Sequence, residues 1–275
     1  MNPEAAFSAL NAAIKTMDPM PVAAEVPPIV FICGAPRSGT TLAYQTLSHG
    51  GGMASTTNLV ARFTTNLVLG VRLAQALDLP SQFSGQSTYG QTQGLSEPHE
   101  FGRGWLRILG LDGLAQPIER RLKDGAAAEI ARFAAAWEKP VVFKSFPYLW
   151  FIEELAEALP NSLWLRIHRD PEANAASLAR LYRSRGNCGT AETWESAVCR
   201  KTMNESGGLP LVARTLAQVR DIDAHISESF ARLPARRQMC VCYEDYATAP
   251  RATTTSILSH FGLPAVPEQM MDIPQ

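Results

Sequence analysis

Gly34-Ala35-Pro36-Arg37-Ser38-Gly39-Thr40-Thr41 sets two glycines around a turn crowded with Arg and hydroxyl residues. This is the spacing of G-x-x-x-x-G-K-[ST], in which backbone N–H groups of the turn and of the helix it opens point at one phosphate. Thr40 stands where the Lys of that pattern reaches the outer phosphates, which disfavours triphosphate chemistry. Arg37, inside the turn, brings a planar fork suited to an oxyanion instead. The plainer reading is a Gly/Pro turn between two apolar elements, and the density of Arg, Ser and Thr favours anion binding over it. A second group is Arg169-Asp170-Pro171 with Ser177 eight residues on, a cation and a hydroxyl able to converge on an anion. A surface ion pair of Arg169 with Asp170 or Glu172 is its plainer alternative. Lys144 ends an apolar run, where a Lys ordinarily reaches for solvent. Glu97, His99 and Glu100 stand together in Ser96-Glu97-Pro98-His99-Glu100-Phe101. His needs little perturbation to act as a base near neutrality, whereas Glu needs burial, and all three also suit a solvated helix start.

These residues share a site only if the fold gathers them. Ile29-Val30-Phe31-Ile32-Cys33 is an unbroken apolar run of strand length that stops at Gly34 and leads into a helical pattern. Similar runs occur at residues 141–144, 163–167 and 239–243, followed by helical patterns over 148–159, 171–185 and 250–261. Strands alternating with helices predict a three-layer α/β/α fold with a central parallel sheet. Asp170-Pro171 is a helix start, with a capping acid and Pro in the first turn. Residues 3–15 read as a short amphipathic helix and 18–28 as a Pro-punctuated linker. Between the first strand and residue 141 no central strand is evident. The polar stretch 81–94 is a loop and a candidate lid or acceptor wall, 186–210 is a second irregular insertion, and Gly50-Gly51-Gly52 is a candidate hinge.

A chain of 275 residues with 46% hydrophobic and 19% charged residues can bury a sizeable core. Lys+Arg number 25 against 26 Asp+Glu, a net charge of −1, which excludes a nucleic-acid binder relying on bulk positive charge, so an anion site must be local. Five Cys without paired spacing suit a reducing compartment. Cys240 and Cys242 read as buried small hydrophobes and His168 and His260 as structural. No apolar run approaches the roughly 18 residues of a membrane span, and residues 1–28 do not read as a secretory signal. The expected location is cytoplasmic.

Gly34 to Leu42, GAPRSGTTL, resembles the 5′-phosphosulfate loop of sulfotransferases that use 3′-phosphoadenosine 5′-phosphosulfate (PAPS). Arg169-Asp170-Pro171 through Ser177 is similar to that family's 3′-phosphate site. Val142-Phe143-Lys144-Ser145 is similar to its bacterial Lys-Ser-Pro strand end. Tyr243-Glu244-Asp245, Pro250 and Phe261-Gly262-Leu263-Pro264 complete the series. The resemblance implies a P-loop-like fold with one domain over 29–264, an N-terminal helix and linker over 1–28, a tail over 265–275, and acceptor-binding insertions at 50–140 and 186–238. It implies transfer of the sulfuryl group from PAPS by in-line displacement to an acceptor hydroxyl or amine, the co-substrate leaving as 3′-phosphoadenosine 5′-phosphate (PAP), and no required metal. Gly34, Pro36, Arg37, Ser38, Gly39, Thr40 and Thr41 would hold the 5′ side, Arg169 and Ser177 the 3′-phosphate, and Tyr243 the nucleotide, unless Tyr243 is a half-buried core residue. Lys144 would assist the leaving oxygen. Some relatives carry a catalytic Glu in the zone of Met53 to Leu59, which here holds no acid. Glu97 and Glu100 match the acids of a Pro-Glu-Glu-x-Glu-Phe stretch instead, leaving Glu100 and His99, then Glu97, as base candidates. Phe83, Tyr89, Phe101 and Trp105 in the insertion suggest a small apolar or aromatic alcohol as acceptor. The alternatives are a P-loop small-molecule kinase and a PAPS-binding protein without catalysis. Nothing in the sequence encodes an oligomeric state.

Overall fold

In the computed structural model, which describes residues 2–17, 20–79, 92–113, 115–116, 121–186 and 198–266, all four apolar runs become strands of one sheet. The strands are β1 (Ile29–Cys33), β2 (Ala54–Ser55), β3 (Ala115–Gln116), β4 (Val141–Lys144), β5 (Ser162–His168), β6 (Val198–Cys199) and β7 (Gln238–Cys242). Five of them form a parallel sheet in the order β2-β4-β1-β5-β7, and β3 pairs with β6 separately. The helices are α1 (Pro3–Ile14), α2 (Thr40–His49), α3 (Leu67–Ala76), α4 (Gly102–Leu109), α5 (Ala126–Ala135), α6 (Ile152–Ala158), α7 (Pro171–Ser184), α8 (Arg200–Ser206), α9 (Leu211–Arg232), α10 (Tyr243–Thr248) and α11 (Pro250–His260).

Alternation along β1 explains the layers. Ile29, Phe31 and Cys33 enter the core beneath α4 to α7 and α9, while Val30 and Ile32 enter the one beneath α2, α10 and α11. Phe31 stacks on Trp164 at 4.6 Å between ring centroids and meets Tyr148 edge-on at 5.1 Å. Truncating a ring in such a cluster costs about 3–5 kcal/mol. Tyr148 also ties two strand ends together: its hydroxyl donates to Ile32 O at 2.7 Å and accepts the Ser145 N–H at 3.1 Å. Because β1 has β4 on one side and β5 on the other, the loops after these three strands open into one crevice at the sheet's carboxyl edge.

Several expectations are corrected. The stretch before residue 141 holds no central strand among the described residues, but it does add an edge strand, β2, short enough that its alternation is invisible in sequence. Tyr243 opens α10 instead of ending β7. Helix α6 is preceded by a 3-10 turn, Pro147–Phe151, that Pro147 opens at a first-turn position where its missing N–H costs nothing. Cys240 is exposed and Cys242 only partly buried, since β7 is the sheet's edge. Of the insertions read as irregular, 80–91 and 187–197, with Phe83, Tyr89 and Trp194, lie outside the described residues, whereas 198–206 is regular and forms β6 and α8. Phe101 and Trp105 are core residues, each 2% exposed, with Trp105 edge-on to Phe31 and Phe143, and cannot line an acceptor site. Among the described residues no helix is long and apolar enough to cross a membrane.

Candidate active site

The turn after β1 approaches β5 so closely that a Cβ on Gly34 would lie 2.6 Å from Ile167 O and from Ser38 Oγ. Gly39, with φ at +99°, occupies the N-cap of α2 without a side-chain cap, so the first-turn N–H groups of α2 have no intrahelical acceptor and favour an anion. Ser38 is 1% exposed and its Oγ makes no hydrogen bond. A buried hydroxyl without a partner costs about 1–3 kcal/mol, which an anionic oxygen would recover.

Arg169 leaves the end of β5 and donates from its guanidinium to Arg37 O at 3.3 Å. Its Nε is buried without a hydrogen-bond acceptor, and its guanidinium lies 4.5 Å over the ring of Tyr243. That ring presses on the turn, because a Cβ on Gly39 would fall 2.2 Å from Tyr243 Cδ2. On α7, Ser177 Oγ accepts from Arg37 Nε at 3.4 Å. The surface ion pair weighed for Arg169 is not formed: Asp170 caps α7 through the Ala173 N–H at 2.8 Å and Glu172 pairs with Arg220, while Glu244 stands 3.9 Å from Arg169. Asn174 was missed. With its amide nitrogen turned toward the loop it donates to Pro36 O at 2.7 Å and Arg37 O at 3.1 Å. Its position three residues before Ser177, on the same helical face, was the available signal.

Lys144 pairs with Ile32 in the β1–β4 register, one strand from the turn. Its side chain is 4% exposed, so it does not reach for solvent: it forms an ion pair with Glu100 and lies 4.6 Å over the ring of Phe146. The segment holding the three base candidates is not a solvated helix start. Pro98 bridges to Thr57, His99 N–H donates to Thr56 O at 2.7 Å, and Asn58 N–H donates to Glu97 O at 3.0 Å. The acid-free zone after α2 thus lies directly against the segment that carries the acids. Glu97 is fully buried, and Glu100 keeps 27% of its side chain accessible beside Lys144. His99 Nδ1 accepts the Phe101 N–H at 2.8 Å, and burial lowers the His99 pKa. Beyond β2 lies a cavity of about 230 Å³ whose lining includes Met53, Thr57, Ala74, Ser96, Pro98 and Trp137.

A glycine-bounded turn feeding an uncapped helix at the carboxyl edge of a parallel sheet, with a second strand delivering Arg169 to its flank, has the geometry of a P-loop-like turn without the P-loop Lys. The chain belongs to the sulfotransferase family, which it matches over residues 28–268. None of the curated proteins matches it. Among solved structures it is similar to sulfotransferase STF1 from Mycobacterium tuberculosis H37Rv, with a TM-score of 0.58 and 18% identity over 90% of this chain and 71% of that one. It is also similar to sulfotransferase STF9 from Mycobacterium avium, with a TM-score of 0.54 and 17% identity over 90% of this chain and 67% of that one. At these identities the likeness shows the fold, a mostly parallel sheet flanked by helices.

Proposed function

We propose that this sulfotransferase takes its sulfuryl group from PAPS and gives it to the hydroxyl of a small molecule. The observation that carries this reading is the convergence of two strand ends: Arg169 and Ser177 both bond to Arg37 of the turn, whose Ser38 hydroxyl is buried without a partner. A ligand anionic at both its 5′ and 3′ positions suits such a pair of neighbouring cradles, and it suits a chain whose net charge is only −1.

In this reading Gly34, Pro36, Arg37, Ser38, Gly39, Thr40 and Thr41 hold the phosphosulfate, Arg169 and Ser177 the 3′-phosphate, and Tyr243 the nucleotide. The donor, when bound, supplies a sulfur that the acceptor oxygen attacks in line as the bond to the phosphate oxygen breaks, the hydroxyl proton passing to Glu100. Lys144 sets a buried positive charge beside the turn, where negative charge grows. Its ammonium has three donors, so it can keep Glu100 in place and still face the turn. Catalysis is then positioning and electrostatics. We place the acceptor in the cavity beyond Thr57 and Pro98, whose lining mixes Met53, Pro98 and Trp137 with the hydroxyl residues Ser48, Ser55, Thr57 and Ser96 and with Asp78 and Lys139, a mixed lining able to take a small alcohol.

The test is thermal shift with PAP against ATP and magnesium, followed by transfer of labelled sulfate from PAPS to a panel of alcohols. PAP stabilises the protein, and Lys144→Ala and Glu100→Gln each lose at least about 100-fold in kcat. Stabilisation by ATP and magnesium without any by PAP would return the kinase reading.

A further inference from the structure

We propose that His99 is a positioning residue for Glu100: its ring nitrogen and the buried ring of Phe101, seated in the space left by Gly104, fix the backbone turn that carries the carboxylate to Lys144. This rests on Glu100 being the base.

Four contacts lock the turn. Inside it, His99 Nδ1 accepts the N–H of Phe101, closing a short ring around Glu100. On one side the His99 N–H donates to Thr56 O, and on the other Tyr44, from the helix behind the anion turn, donates its hydroxyl toward His99 O at 3.3 Å and Thr56 O at 3.2 Å. Phe101 itself is left-handed, with φ at +53° and ψ at +35°, a region that a bulky residue enters only when its surroundings hold it there. Those surroundings are visible: a Cβ on Gly104 would lie 1.8 Å from Phe101 Cε1, so the ring fills the site a side chain would need. The Phe101 ring anchors one end of the turn, the imidazole ties its backbone, and Glu100, between them in sequence, pairs with Lys144.

The same contact removes His99 from the proton transfer. A neutral imidazole that accepts at Nδ1 carries its proton on Nε2, and a nitrogen that already bears a proton cannot take another from the acceptor. Burial keeps the ring neutral by lowering its pKa. Of the two charged groups acting on it, Glu100 pulls the pKa up and Arg62 pushes it down.

The test compares parent, H99N and H99A, since the Asn Oδ1 can replace Nδ1 as acceptor and Ala cannot. Nitrogen NMR of the parent without ligand shows Nδ1 bare and Nε2 protonated. Hydrogen exchange of the Phe101 amide is slow in parent and H99N and at least about tenfold faster in H99A. In transfer from PAPS, kcat falls about 100-fold in H99A, the scale of a misplaced catalytic group, with acceptor KM little changed, and H99N restores it to within about tenfold with the acid limb of its pH profile in place. Three results would overturn the proposal: a protonated Nδ1; H99N as slow as H99A with the acid limb lost, which makes His99 the base; or H99A matching the parent in exchange and rate. A parent that exchanges as described yet transfers nothing from PAPS refutes the proposed function alone, because the tautomer and the Phe101 amide report on the turn without the donor.

Discussion

Gly39→Ala tests whether Tyr243 and the anion turn form one surface. The backbone at Gly39 has φ at +99°, where an L residue costs about 1–2 kcal/mol more than Gly. The new Cβ would stand 2.2 Å from Tyr243 Cδ2 and 2.9 Å from Cε2, so the ring must leave. Its departure removes the platform 4.5 Å beneath the Arg169 guanidinium, a contact worth about 0.5–1 kcal/mol. Together these come to about 1.5–3 kcal/mol, which weakens PAP binding by about 10- to 150-fold if it falls on the bound state. Isothermal calorimetry with PAP measures the loss in G39A, Y243A and the double variant. The ring is the obstacle, so Y243A relieves part of the penalty and the cycle shows coupling above about 0.5 kcal/mol. Additive effects, or parent affinity in G39A, would refute the contact between turn and ring.

Tyr148→Phe keeps the ring in the aromatic cluster but strips the acceptor from the Ser145 N–H and the donor from Ile32 O, so denaturant unfolding shows a loss of about 1–3 kcal/mol; a loss below about 0.5 kcal/mol would contradict the tie between strand ends. His49 is held by burial at a pKa of about 4 against an ordinary 6.5. Between those values the unfolded chain binds the extra proton, so this contribution is complete above pH 6.5 and is lost as pH falls toward 4. His49→Gln therefore flattens the dependence of Tm on pH in that window, and an unchanged slope would rule His49 out. Ala74→Phe narrows the cavity beyond β2: KM for 2-naphthol rises about tenfold with PAP affinity unchanged, and an unchanged KM places the acceptor elsewhere.

The sequence by itself determined the four longer strands, β1, β4, β5 and β7, and the turn after β1. A run such as Ile29 to Cys33, apolar on both faces and stopped by Gly34, has no stable place except inside a covered parallel sheet, and Asp170-Pro171 starts a helix by local capping. Residue types also set two glycines around Arg37 and Ser38, with Thr40 where a P-loop carries its Lys. Only the tertiary structure decided which side chains meet, because contact between distant segments depends on strand order and register, which local patterns do not encode. Arg37 and Ser177 are 140 residues apart, and Lys144 and Glu100 are 44 apart. Strand β2 is two residues long, too short for any pattern, yet its continuation through Thr56 and Thr57 sets the acidic segment against Lys144. Phe101 and Trp105 look like acceptor-facing aromatics in sequence, but they are buried in the core, where Trp105 meets the rings of Phe31 and Phe143.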